Sequence, residues 1–108
     1  MTHEVALHPD IVDFLAHLEK ERDVSPHTRN AYGRDLAQFG AFLGDHFGVA
    51  DWTWDQVDRL AIRGYLGYLT RRGLAKRSVA RALSAVRTFF RFLHRDERIA
   101  ANPTRAVP

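Results

Sequence analysis

Apolar residues recur at helical spacing in four stretches of the chain. In the first, Pro9 suits an opening helical position, where its missing N–H costs nothing, and Ile11, Phe14, Leu15 and Leu18 follow at i, i+3, i+4 and i+7. This predicts a helix from Pro9 to about Arg22. In the second, the Ser25 hydroxyl can cap and Pro26 takes the first turn. Tyr32, Leu36, Phe39, Leu43 and Phe47 then form one stripe that runs out between Gly44 and Gly48. In the third, Asp58 is the cap, Ile62, Tyr65, Leu66 and Leu69 carry the stripe, and Gly73 supplies a left-handed stop after Arg71-Arg72. The fourth, KRSVARALSAVRTFFRFLHR from Lys76 to Arg95, places Val79, Ala82, Leu83, Val86, Phe89, Phe90 and Leu93 within an arc of about 120°. Ile99 follows, and Asn102-Pro103 is expected to end regular structure.

Between the second and third stretches, GVADWTWDQ alternates like a strand at Trp52 and Trp54 but is too short and isolated to build a sheet, so both rings are expected to plug the core. Gly64 and Gly67 inside the third helix cost about 1 kcal/mol each relative to Ala. That cost is tolerable if another helix must approach closely there. The fold class predicted is all-α: four helices, antiparallel neighbours joined by short turns, with no repeat and no low-complexity segment.

At 108 residues the chain fits one domain, and its 45% hydrophobic and 27% charged residues are the balance of a globular protein. No apolar run approaches the roughly 18 residues of a spanning helix, and MTHEVALHPD lacks a secretory pattern, which points to the cytoplasm and away from the membrane. The absence of cysteine removes disulfides and thiolate metal sites. Charge changes the picture most. Residues 1–70 hold 6 Lys/Arg against 11 Asp/Glu, residues 71–108 hold 10 against 2, and 14 of the 16 cations are Arg. Such a field favours a polyanion, with nucleic acid ahead of an anionic membrane surface.

The fourth helix concentrates that charge. Opposite its apolar arc lie Arg77, Arg81, Arg91 and Arg95 within about 40° of one another's mean line, Ser84 and Thr88 between them and Arg87 on the flank. A solvated face normally mixes signs, whereas here Arg77/Arg81, Arg87/Arg91 and Arg91/Arg95 repel at i,i+4 with no acidic residue before Asp96. A partner outside the domain is expected to relieve that repulsion. An α-helix fits the major groove of DNA, where Arg reads guanine and Ser or Thr contacts phosphates or base edges. A membrane-surface helix would need the apolar arc that the core requires. The start of the second helix is a companion surface: Ser25, Thr28 and Arg29 lie at its first turn, and His27, Asn30, Arg34 and Gln38 share a polar face. A capped, solvated helix start explains that surface equally well.

Three segments together carry a resemblance: SPHTRNAYGRDLAQFGAFL (25–43), RGLAKRSVARALSAVRTFFRFL (72–93) and the closing Asn102-Pro103. In order and spacing the chain resembles the N-terminal core-binding domain of tyrosine site-specific recombinases, most closely the bacterial Xer type and its phage-integrase relatives. The resemblance implies a four-helix SAM-like domain that forms half of a clamp around double-stranded DNA, the other half being the protein's own C-terminal catalytic domain. Other recombinase protomers in a synaptic tetramer would be further partners. Carried onto this sequence, the DNA-binding residues implied are Ser25, His27, Thr28, Arg29 and Arg34 on the second helix. On the fourth they are Lys76, Arg77, Ser78, Arg81, Ser84, Arg87, Thr88 and Arg91. Ala75 departs from the family, which often has Ser or Thr there to cap the fourth helix. Residues 1–101 would be the core-binding domain and 102–108 the start of a linker, with Met1 suiting a native start. The resemblance leaves chromosome-dimer resolution and mobile-element integration open.

The family's catalytic tyrosine and its Arg, Lys and His partners belong to the catalytic domain, so no catalytic residue and no cofactor are assigned to this chain. Tyr32, Tyr65 and Tyr68 fall on or beside apolar stripes and suit packing rather than phosphotyrosine chemistry. The histidines, His3, His8, His17, His27, His46 and His94, make no i,i+4 ligand pair, and no glycine-rich phosphate loop is present. The competing reading from another class is a helical protein-interaction module whose Arg stripe docks an acidic partner.

Overall fold

The computed structural model describes residues 7–21 and 23–107. It is all helical: α1 (Pro9–Glu19), α2 (Pro26–Phe47), α3 (Arg59–Arg71) and α4 (Lys76–Arg95), with single 3₁₀ turns at Trp54–Gln56 and Pro103–Ala106. The starts follow the caps read from the sequence. Ser25 Oγ accepts from the Thr28 N–H at 3.1 Å, and Asp58 Oδ1 accepts from the Ala61 N–H at 2.8 Å. α4 begins at Ala75 with no side-chain cap, as its sequence implies. α1 stops at Glu19, short of the expected Arg22, which lies outside the described residues.

Two helices end in left-handed turns. After α3, Gly73 adopts φ 82° and the Leu74 N–H reaches back to the Leu69 carbonyl, closing a six-to-one turn. After α4, Glu97 takes the same role at φ 56° without being glycine, and the Arg98 N–H bonds the Leu93 carbonyl at 2.8 Å. Arg98 holds this turn down. Its guanidinium donates to Asp96, Asp10 and Asp13 at 2.6 to 2.8 Å and lies over the Phe92 ring, joining the end of α4 to α1.

One core runs between the helices. Phe14 of α1, Leu36, Phe39 and Leu43 of α2, Ile62, Tyr65 and Leu69 of α3, and Val86, Phe89, Phe90 and Leu93 of α4 are all fully buried. Trp54 plugs it as expected, with ring centroids 4.8 Å from Phe89 and 4.7 Å from a half-buried Trp52. The tail differs from expectation. Asn102 does not end structure but starts it, its Oδ1 accepting from the Thr104 N–H and hydroxyl, and Thr104 and Val107 are buried.

The two glycines of α3 do not mark a close helix approach. A Cβ at Gly64 would meet only the Phe42 ring, at 3.7 Å, and one at Gly67 only the flexible end of Arg71, at 3.1 Å. Gly64→Ala is therefore expected to raise stability by about 1 kcal/mol in urea unfolding, because the helix loses a glycine without a clash. The Tyr65 phenol, fully enclosed, is pushed well above its ordinary range by burial first and the nearby Asp35 second. An acid whose folded pKa is raised stabilises only below its unfolded value, so stability should fall as pH rises past about 10. Tyr65→Phe should flatten that alkaline decline in thermal melts recorded between pH 8 and pH 11.

Candidate nucleic-acid interface

α4 is cationic on its outer face because every apolar side chain long enough to matter is turned inward. Lys76, Arg77, Arg91 and Arg95 are exposed and make no ion pair among the described residues. Ser84 is exposed beside them, Ser78 is half-buried, and the Thr88 hydroxyl donates to the Ser84 carbonyl at 2.8 Å. The stripe expected from the sequence thus exists as a surface, but two of its arginines are already engaged.

Arg81 is held by a carboxylate that sequence spacing did not reveal. Asp35 sits on α2 inside the apolar stripe, next to Leu36, with its side chain only 7% exposed. Its two oxygens accept from Arg81 Nε at 3.0 Å and Nη2 at 3.1 Å, and its backbone carbonyl accepts from the Tyr65 hydroxyl at 3.3 Å. The paired hydrogen bonds push the Arg81 guanidinium further toward its charged form. Repulsion between Arg77 and Arg81 is therefore relieved inside the domain, contrary to the expectation of an outside partner for that pair. Forty-six residues separate Asp35 from Arg81, so no i,i+4 reading of either helix could find the contact.

Arg87 is the second. It is half-buried, and its Nη2 donates to the Val107 carbonyl at 2.8 Å, so it anchors the tail. That contact draws the tail's Arg105 to the rim of a cleft of about 500 Å³ shared with Arg87, Arg91, His94 and Arg95, with no carboxylate in its lining. Arg95 belongs to the stripe read from periodicity but not to the residues the resemblance implied, and Arg105 was in neither; it lies in a single 3₁₀ turn, where periodicity carries no signal. The Arg87/Arg91 and Arg91/Arg95 repulsions remain without a carboxylate partner among the described residues, the Val107 carbonyl being a neutral acceptor.

The α2 residues are less unified. The Ser25 hydroxyl donates to Thr28 Oγ1 at 3.0 Å while accepting from the Thr28 N–H, so it is spent within the cap. His27 is exposed. Arg29 and Arg34 line a groove against α1 together with Glu19, Leu15 and Val12. Tyr32 and Tyr68 are half-buried and Tyr65 fully so, as packing side chains. No helix among the described residues is long and apolar enough to cross a membrane.

Four helices around one core, with a partly unpaired guanidinium face on the last, make an all-helical domain with a basic surface. A family model described as "Phage integrase, N-terminal SAM-like domain" matches residues 11–97, and the chain belongs to that family. It is 38% identical over 101 residues to tyrosine recombinase XerC of Syntrophus aciditrophicus, covering 90% of the chain and 33% of that protein. Over 94 residues it is 43% identical to XerC of Pelobacter propionicus, covering 87% and 30%. With XerC of Chlorobaculum parvum it shares 37% over 108 residues, covering 97% and 32%. The chain thus spans about a third of the length of the curated relatives it matches. No solved structure matches it.

Arg81→Ala leaves the Asp35 carboxylate buried without its cation. Because the arginine is 44% exposed, the loss should be below that of a fully enclosed pair, about 2 kcal/mol in urea unfolding. Arg91→Ala, which removes no partner, should leave stability within about 0.5 kcal/mol.

Proposed function

We propose that this domain binds double-stranded DNA through the outer face of α4 and positions a C-terminal catalytic domain of a tyrosine recombinase on a recombination site. The observation that carries the reading is the run of unpaired cations on α4, Lys76, Arg77, Arg91 and Arg95, on a helix with no acidic residue of its own. In water such a face gains little from itself, and a phosphate backbone is the polyanion that matches its length of about 30 Å. Likeness to proteins named tyrosine recombinase XerC supports the recombinase part of this reading; resolution of chromosome dimers, in the cytoplasm, is the finer role we propose. The scissile chemistry then falls to the catalytic domain, and recombinase protomers assembled on the site are the further partners.

On this reading affinity is mostly electrostatic. Lys76, Arg77, Arg91 and Arg95 with Arg34 and Arg105 offer about six phosphate contacts, and log K should fall with log salt at a slope of about −5. Gel-shift titration with duplex DNA across 50 to 300 mM salt measures it. Arg77→Glu and Arg91→Glu should each weaken binding at least about tenfold with helical circular dichroism unchanged. Arg81→Glu is unsuitable for this purpose, since it would set a second carboxylate against Asp35. A shallow slope, or shifts that both variants leave unaltered, would hand the face to an acidic protein partner instead.

A further inference from the structure

Arg81 differs from the other guanidiniums on α4: among the described residues it alone there is held by a carboxylate. A guanidinium has five N–H groups on three edges. Asp35 occupies the Nε/Nη2 edge, at 3.0 and 3.1 Å, which leaves the parallel Nη1/Nη2 fork free. The pair is enclosed at one end and open at the other, with the aspartate side chain 7% and the arginine side chain 44% exposed. Nothing comparable restrains Arg77 or Arg91.

We infer that Arg81 reads a base edge in the DNA bound by α4 and that Asp35 is the positioning residue that aims it, while the unpaired cations hold phosphate. This rests on the DNA-binding reading above and extends it to sequence choice. Three observations support it. A carboxylate about 3 Å away cancels the net charge of Arg81, so its attraction to phosphate and its counterion release are weak, whereas guanine O6 and N7 are dipolar acceptors that need aim. The fork left free is the edge that bonds guanine bidentately, and its rotamer freedom is already spent on Asp35. Ala80 and Ser84 beside it on α4 are small and exposed, which lets the helix sink toward a groove floor there, with Arg77 one turn before as the long neighbour. Arg77 and Arg91 flank it about 20 Å apart along the axis, as long mobile arms.

The test selects duplexes from a randomised pool with the 108-residue chain, then titrates the enriched duplex and a scrambled one over a salt series. Four proteins are compared: wild type, Arg81→Lys, Asp35→Asn and Arg91→Ala. The readout is the ratio of the two affinities, which partial unfolding leaves unchanged because it weakens both duplexes alike. Arg81→Lys and Asp35→Asn should each lower that ratio about tenfold or more and erase preference at one base position. Asp35→Asn should also tighten the scrambled duplex and steepen its salt slope by about one, as the freed guanidinium finds a phosphate. Arg91→Ala should weaken both duplexes equally and keep the ratio. Equal weakening of both duplexes by Arg81→Lys and Asp35→Asn, or enrichment of no sequence by the wild type, would overturn the inference and leave DNA binding standing. Failure of the wild type to bind any duplex would overturn the DNA-binding reading itself.

Discussion

A carboxylate buried in a helix stripe demands a cation, and in this domain the demand of Asp35 fixes how the last helix is set. An uncompensated buried charge costs several kcal/mol, so α2 can pack with Asp35 inward only if α4 brings Arg81 to it. That contact and the apolar arc call for the same rotation of α4 about its own axis. Phe89, Phe90 and Leu93 turn into the core and Arg77, Arg91 and Arg95 turn out of it. The Tyr65 hydroxyl on the Asp35 carbonyl brings α3 to the same point. A bidentate pair at 3.0 and 3.1 Å adds an orientation-dependent contact to the rotation that apolar packing favours.

The same contact explains what could and could not be read along the chain. Helix starts were legible because Ser25 and Asp58 cap through groups within three residues, and the stripe Leu36, Phe39, Leu43 was legible because burial follows helical period. The glycines misled, since neither Gly64 nor Gly67 marks a close backbone approach of another helix. The cationic face of α4 was visible as a pattern, but its internal division was not. Asp35 to Arg81 and Arg87 to Val107 are tertiary contacts, and nothing in the local sequence distinguishes those arginines from Arg77 or Arg91.

Charge in this domain is thus sorted by depth. Arg98 gathers three carboxylates where α4 ends beside α1, and Arg81 takes one between α4 and α2. Both pairings tie helices together, and both remove acidic residues from competition with the outer face. What remains outward on α4 is nearly uniform in sign. The N-terminus of that helix is left open as well, since Ala75 contributes no cap and the first N–H groups keep their positive ends available.

The tail bears on anything that follows it in the chain. Because Arg87 grips the Val107 carbonyl and Val107 itself is buried, the backbone is fixed in position and heading more than ten residues beyond the end of α4. A segment continuing from there departs from beside the Arg91 and Arg105 cleft rather than from the far side of the bundle. The flexible span is shorter by the whole ordered tail, and the effective concentration of an attached module near the α4 face rises accordingly. A single hydrogen bond to one carbonyl, made at the edge of the cationic cleft, would then act on the geometry of tethering.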